Sequence, residues 1–193
     1  MDEGYAIKLC LKHHDPVGFE FLVKKYRREA LFHARALLGN TEDAADACQE
    51  SFTRAFLAIP RLSHLDAFYP WFYRILRNCC LNMIRKKKSA RKYRTEKQRS
   101  AKEITDEALL SRELEKREEE QVVWRVLQKL QPEFREILIM KYIQGLRYAE
   151  ISTLLCIPRG TVMSRLYYAR KAFKEVYSYA DTLDDGSRRE VAT

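Results

Sequence analysis

Tight turns are scarce in this chain. Six glycines and five prolines in 193 residues argue against many short strands and for long uninterrupted helices. No apolar run approaches the ~18 residues of a membrane-spanning helix, and Met1-Asp2-Glu3 does not open a signal peptide. A cytoplasmic protein with no membrane insertion is therefore expected. Of the five cysteines, Cys79 and Cys80 are adjacent while Cys10, Cys48 and Cys156 stand alone. The lack of any CxxC or Cys/His spacing excludes a zinc site or a disulfide framework and leaves buried reduced thiols. The four histidines all precede residue 65, and neither a Gly-rich phosphate loop nor a nucleophile–His–acid set is present. These absences point away from an enzyme and imply neither a cofactor nor a metal.

What the chain does have is positive charge, unevenly spread. There are 36 Lys and Arg against 27 Asp and Glu, a net +9, which suits a polyanionic partner. Residues 1–102 carry 21 basic and 11 acidic side chains, whereas residues 103–193 carry 15 and 16. Within the second half, residues 141–174 hold seven bases and one acid. Two basic regions with an acidic insert between them fit a nucleic-acid binder with two separate contacts.

Apolar periodicity predicts an all-α fold. After a short segment around Ile7, Leu9 and Leu11, Asp15-Pro16 opens a helix with Phe19, Leu22, Val23, Tyr26, Ala30, His33, Ala34 and Leu37 inside. Gly39-Asn40 closes it, and Thr41, Glu42 and Asp43 start a second helix that buries Ala45, Cys48, Phe52, Ala55, Phe56 and Ile59. A third begins within residues 66–70 and buries Phe68, Phe72, Ile75, Cys79 and Met83 before Arg85-Lys86-Lys87-Lys88. Residues 89–120 are apolar-poor, basic and then acidic, and read as a linker, partly disordered or partly a solvated helix. Val122, Val123, Val126, Leu127 and Leu130 resume the pattern. Pro132 then restarts a helix with Phe134, Ile137, Leu138 and Tyr142 inside, and Gly145 stops it. Two short helices follow over 148–155 and 159–177, and a polar, frayed tail is expected from residue 181.

Three constellations carry function. Residues 146–173 read as a helix-turn-helix: Ile151, Leu154 and Leu155 line the first helix, Cys156-Ile157-Pro158 turns, and Val162, Leu166, Ala169 and Phe173 anchor the second. Arg159, Thr161, Ser164, Arg165, Tyr168 and Lys171 then face outward, with the chemistry of a major-groove reader; the alternative is an ordinary helical hairpin with a solvated face. On the third front helix, Arg74, Arg77, Asn78, Leu81 and Arg85 share a face headed by Tyr69, Trp71 and Tyr73. Cations beside aromatics suit a single strand whose bases stack, although the aromatics can equally be core, and Trp71 can be both. On the second helix, Asp43, Asp46, Gln49 and Glu50 make an acidic face, which suits a protein partner better than DNA; a merely solvated face remains the other reading.

In this order and spacing these segments resemble the extracytoplasmic-function sigma factors of bacterial RNA polymerase. Asp46-Ala47-Cys48-Gln49-Glu50-Ser51-Phe52 resembles their D-x-x-Q-E-x-F core-binding signature. Trp71-Phe72-Tyr73-Arg74-Ile75-Leu76-Arg77-Asn78 is similar to W-L-Y-R-I-A-R-N, and Pro158-Arg159-Gly160-Thr161-Val162 to the family's recognition-helix start. The resemblance implies two small helical domains: region 2 over 5–90, a charged linker over 91–119, region 4 over 120–178 and a polar tail over 179–193. It implies core RNA polymerase and promoter DNA as partners. Asp46, Gln49, Glu50 and Phe52 would face the polymerase. Residues 61–69 with Tyr69, Trp71, Arg74, Arg77, Asn78 and Arg85 would take the melted −10 element, and Arg159, Thr161, Ser164, Arg165, Tyr168 and Lys171 the −35 element. A separate anti-sigma factor is expected to control the protein, because the chain offers neither a sensor domain nor a long C-terminal extension. Three positions depart from the family: His14 and Cys156 replace usual glycines, and Met163 replaces a common basic residue. Either Cys156 takes a positive φ or its turn is built differently.

The rival from another class is a stand-alone DNA-binding regulator whose front domain senses a ligand or dimerises. It accounts for the helix-turn-helix and leaves the Trp-Arg-Asn face and the acidic second helix unexplained.

Overall fold

Asp15 and Pro16 show how the sequence sets its helix boundaries. In the computed structural model the Asp15 carboxylate accepts from the Val17 N–H at 2.8 Å, and Pro16 occupies the first helical turn, where its missing N–H costs nothing. The structure describes the backbone of residues 1–13, 15–62, 65–95 and 113–190. His14, the middle of the expected linker (96–112), Ser63 and His64 of the 61–69 segment, and the last three residues of the tail lie outside the described residues. Among the described residues there are eight α-helices and no strand. By contacts the chain divides into two units: Met1–Tyr93 with Ala149–Ile157, and Arg94–Tyr148 with Pro158–Thr193. Residues 149–157, which the sequence reading puts in the rear domain, thus group with the front helices.

In the first unit, α1 (Glu3–His13), α2 (Pro16–Leu38) and α3 (Thr41–Ala58) are followed by a 3-10 turn (Ile59–Arg61) and α4 (Phe68–Thr95). Helix α1 lies close on α2 because Gly18 has no side chain: a Cβ there would stand 2.8 Å from the Ala6 carbonyl oxygen. Gly39 ends α2 with φ 87, a conformation costly for other residues. The next N-cap is Asn40 rather than Thr41, since the Asn40 side chain accepts from the Asp43 N–H at 2.8 Å. Register differs from expectation at Ala45, which is exposed while Ala44 and Ala47 are buried. Ile75 and Met83 are half-buried, and Tyr73, Leu76 and Cys80 form the floor of α4 in their place. Helix α4 continues through the basic run to Thr95, because Arg85-Lys86-Lys87-Lys88 are good helix formers with no breaker among them.

The second unit contains α5 (Glu113–Lys129), α6 (Pro132–Leu138), one π-helical turn (Ile139–Ile143), the first residue of α7 (Tyr148–Leu155) and α8 (Arg159–Glu190). Its core holds Val126, Leu127, Leu130, Ile137, Leu138, Ile139, Met140, Val162, Leu166 and Ala169. The π turn adds a residue to the helical repeat, so Tyr142 no longer lies above Leu138 and is 59% exposed instead of buried. Helix α8 runs on to Glu190 where a frayed tail was expected from residue 181. Arg135, 6% exposed, donates to the carbonyls of Leu127 (2.9 Å), Gln128 (2.9 Å) and Leu130 (3.2 Å), at the end of α5 where carbonyls run short of helical partners.

Burial of His33 gives the first unit a pH dependence. The ring is 3% exposed, packs against Tyr73 at 4.8 Å, and burial lowers its pKa from 6.5 to about 4. The unfolded chain takes up this proton near the ordinary value while the folded chain waits until about 4. The stabilisation is therefore complete above the ordinary value and is lost as pH falls between the two. Glu29, with Oε1 4.0 Å from His33 Nε2, has a pKa raised by burial and offsets part of the loss at the acidic end. Between about pH 7 and 4.5 the first unit is expected to lose roughly 2 kcal/mol. Urea unfolding followed by Trp71 fluorescence in a Trp124→Phe background measures it, and His33→Gln should flatten the curve; a slope unchanged by that substitution would exclude His33 as its source.

Candidate nucleic-acid interface

Spacing along α4 separates its core from its surface. Phe68, Phe72, Tyr73 and Leu76 are fully buried. Tyr69 joins them at 7% exposure because it lies at i−3, i−4 and i−7 from Phe72, Tyr73 and Leu76. Its ring stacks on Tyr26 at 5.0 Å, its hydroxyl is buried without a hydrogen-bond partner, and burial pushes its pKa far up. Tyr69 and Tyr73 therefore leave the expected surface and form its support. Leu81, the one apolar member of the expected stripe, is also buried, at 8%. The surface that remains comprises exposed Arg74, Asn78, Asn82 and Arg85, with half-buried Arg77 beside them. Trp71, half-buried, meets Phe68 edge-on at 5.8 Å at the head of this surface. It serves as packing and surface at once. Arg85 Nη1 donates to Asn82 Oδ1 at 3.3 Å.

On α3, Asp46, Gln49 and Glu50 are exposed. Phe52 is not among them: it is 9% exposed and stacks on Phe72 at 4.3 Å, so it ties α3 to α4. Asp43 is engaged with Asn40 and with Lys87 of α4, and these hydrogen bonds lower its pKa. Glu50 accepts from Arg54 Nε at 2.6 Å. Beside that pair a groove of about 470 Å³ runs between α3 and α4, lined in part by Cys79, Asn82, Arg85 and Lys86. The pairing of Asp43 with Lys87 joins side chains 44 positions apart, and no local pattern announces it.

The turn between α7 and α8 is closed locally. Ser152 Oγ donates to the Ile157 carbonyl at 2.6 Å, and the Ile157 N–H donates to the Ser152 carbonyl at 3.2 Å. Cys156 adopts φ 52, so the residue in the glycine position does take the left-handed conformation. The Pro158 carbonyl accepts from the Val162 N–H at 3.0 Å, which starts α8. Ile151, Leu154, Val162, Leu166 and Ala169 are buried, while Leu155 and Phe173 are half-buried. Arg159, Ser164, Tyr168 and Lys171 are exposed, with Thr161 and Arg165 half-buried on the same side. The first turn of α8 contains no acid, so its dipole remains available to an anion. Met163 and Tyr167 are exposed on the flank, and Arg170 Nη1 reaches the Tyr142 hydroxyl at 3.4 Å.

Among the described residues no group of three or more His, Cys, Asp and Glu could hold a metal, and no helix is long and apolar enough to cross a membrane. A compact helical unit with a cationic face over an aromatic floor, and a second unit whose long helix opens with exposed Arg and Ser, define a protein of the sigma-70 class. The family model for Sigma-70 region 2 matches residues 22–90, and that for Sigma-70, region 4 matches residues 120–173. The ECF RNA polymerase sigma factor SigW of Bacillus subtilis is 30% identical over 176 residues, covering 86% of this chain and 91% of that protein. RNA polymerase sigma-H factor of Pseudomonas aeruginosa is 32% identical, covering 82% and 85%. The fold is similar to that of CnrH in its complex with the cytosolic domain of CnrY (TM-score 0.63, 19% identity, 91% and 96% covered). It is also similar to the sigma factor RpoE in complex with the anti-sigma factor NepR from Bartonella quintana (TM-score 0.59, 20% identity, 83% and 96% covered). The chain belongs to the extracytoplasmic-function sigma factors. It is a promoter-recognising factor for transcription initiation by RNA polymerase.

The strained turn yields a prediction. A left-handed non-glycine residue costs roughly 1 kcal/mol, so Cys156→Gly is expected to leave folding stability unchanged or raise it by up to about 1 kcal/mol, the gain being limited by glycine's greater unfolded-state entropy. Cys156→Val, β-branched, is expected to lower it by more than 1 kcal/mol. Urea midpoints of the two variants followed by circular dichroism decide this, and a valine as stable as glycine would mean the turn relaxes freely.

Proposed function

We propose that the front helices, over 5–90, bind core RNA polymerase and open the −10 element, and that the segment 120–178 reads the −35 element, with 91–119 as linker and 179–193 as tail. The observation that carries the opening role is the alignment of exposed Arg74, Asn78 and Arg85 behind Trp71, over a floor of buried rings. An unpaired base stacking on an aromatic face gains ~1–3 kcal/mol, which offsets unpairing, while the cations hold the strand's phosphates. Arg77 borders this face, and Tyr69 supports it from below. Asp46, Gln49 and Glu50 form the polymerase contact, with Phe52 anchoring their helix from within. Arg159, Thr161, Ser164, Arg165, Tyr168 and Lys171 supply the −35 contact.

The protein acts without catalysing a reaction, in the cytoplasm, and a separate anti-sigma factor holds it inactive. Support for that partner comes from the structural neighbours, two of which are complexes with CnrY and NepR.

Run-off transcription with core polymerase tests the whole reading: transcripts should require this protein. Trp71→Ala with Arg74→Ala should reduce open-complex formation on duplex promoters, and reduce it less on templates mismatched at the −10 element. Equal loss on both templates would refute a role in opening.

Base readout separates from phosphate binding along α8. Arg165→Ala should cost ~1–3 kcal/mol on the cognate −35 sequence and flatten preference at one position. Lys174→Ala should weaken all sequences alike and reduce the salt slope by about one unit. Binding of both variants to a set of −35 substitutions at two salt concentrations measures this. Retained preference in the Arg165 variant would move readout to Arg159, Thr161 and Ser164.

A further inference from the structure

Glu3 lies in α1, before the residues matched by the region 2 family model, yet its carboxylate is bonded to the root of the proposed opening face. Oε2 accepts from Lys25 Nζ and from the Tyr26 hydroxyl, each at 2.5 Å, and Oε1 accepts from the Phe68 N–H at 3.1 Å. Phe68 is the first residue of α4, so its N–H is one of the donors a helix start leaves without a helical partner. Glu3 thus caps α4 from 65 positions away. Burial disfavours its charge, but the bonds from Lys25, Tyr26 and Phe68 outweigh burial and lower its pKa.

The same carboxylate fixes a ring stack. Tyr26, whose hydroxyl it holds, stacks on Phe68 at 5.7 Å and on Tyr69 at 5.0 Å, and Phe68 meets Trp71 at 5.8 Å. Helix α1 is itself seated by buried Ala6, Ile7 and Cys10 and by the close approach at Gly18. A rigid path therefore runs from α1 through Glu3, Tyr26 and Phe68 to Trp71. We propose that Glu3 is a positioning residue for promoter opening, setting the start of α4 and the tilt of Trp71 against the displaced strand.

The inference rests on Trp71 acting in opening, and a double-mutant cycle keeps the two apart. Open-complex formation on a duplex promoter is measured with full-length protein and core polymerase for Glu3→Gln, Trp71→Ala and the pair, at a temperature where circular dichroism shows all three folded. Glu3→Gln should lower opening by about tenfold, the worth of one charge-assisted hydrogen bond, with core binding unchanged. In the Trp71→Ala background the same substitution should cost less than about twofold, since its effect passes through a ring already removed. Full additivity, or no effect of Glu3→Gln where Trp71→Ala has one, overturns the positioning role and leaves the proposed function standing. No effect of Trp71→Ala overturns the opening role of that ring and the inference with it. Tyr26→Phe, which removes one of the three bonds and keeps the ring, should give a smaller loss in the same direction; none at all would also count against the path.

Discussion

Phe72 stands in the stack on which the front helices depend. It lies parallel to Phe52 of α3 at 4.3 Å and to Phe68 at 5.3 Å, and Phe68 in turn contacts Phe19 and Tyr26 of α2. Each buried ring contributes a few kcal/mol through area removed from water, and favourable pair geometry adds ~0.5–1.5 kcal/mol. This packing dictates the surface above it. With one side of α4 committed to Phe68, Phe72 and Leu76, a 3.6-residue repeat leaves Arg74, Asn78 and Arg85 facing solvent. The stack also holds the proposed opening face rigid before any strand arrives, and preorganisation reduces the ordering cost of binding.

Constraint in the second unit comes from hydrogen bonds as much as from rings. Arg135 gathers the last carbonyls of α5, and Lys141 Nζ donates to the Leu146 carbonyl and lies 5.2 Å from the Tyr148 ring centre. Burying a guanidinium without partners would cost several kcal/mol; against these carbonyls it fixes the angle between α5 and α6. The Pro158 carbonyl accepts from the Val162 N–H at 3.0 Å and so starts α8. Direction at the start of that helix matters because its first two turns carry the side chains proposed to meet base edges.

Helix existence was legible wherever an apolar repeat was long: α2 and α7 begin and end within a residue of where the pattern placed them, and Gly39 and Pro158 punctuate them as their chemistry requires. Position around a helix was less so. Tyr69, Tyr73, Leu81 and Tyr142 differ from expectation because an aromatic or leucine at the edge of an apolar arc can face either way. Tertiary packing makes that choice at Tyr69 and a π turn makes it at Tyr142. At the candidate interface the motif residues Arg74, Asn78, Glu50 and Arg159 could be read directly, since charged and amide side chains are rarely buried unpaired. What no local pattern contains is the long-range pairing: Glu3 with Phe68, and Asp43 with Lys87.

The second of these pairings bears on how one small basic unit can present an acidic face. Asp43 and Glu50 would each repel Asp46, one turn away along α3. Lys87 neutralises the first and Arg54 the last, leaving Asp46 and Gln49 as the outward polar pair between them. The acidic face is therefore weaker in net charge than its sequence implies. Arg54 together with Arg85 and Lys86 gives the neighbouring groove a cationic edge. Such a mixed surface favours a partner of mixed charge, as a protein is, and offers little to uniformly anionic DNA. Nearer the start of α4, Arg74 is exposed, with Asn78 and Asn82 following it. Pairing that draws down the charge on α3, beside cations such as Arg74 and Arg85 that stay exposed on α4, would let the two proposed partners address adjacent helices of the same bundle without competing for one charge.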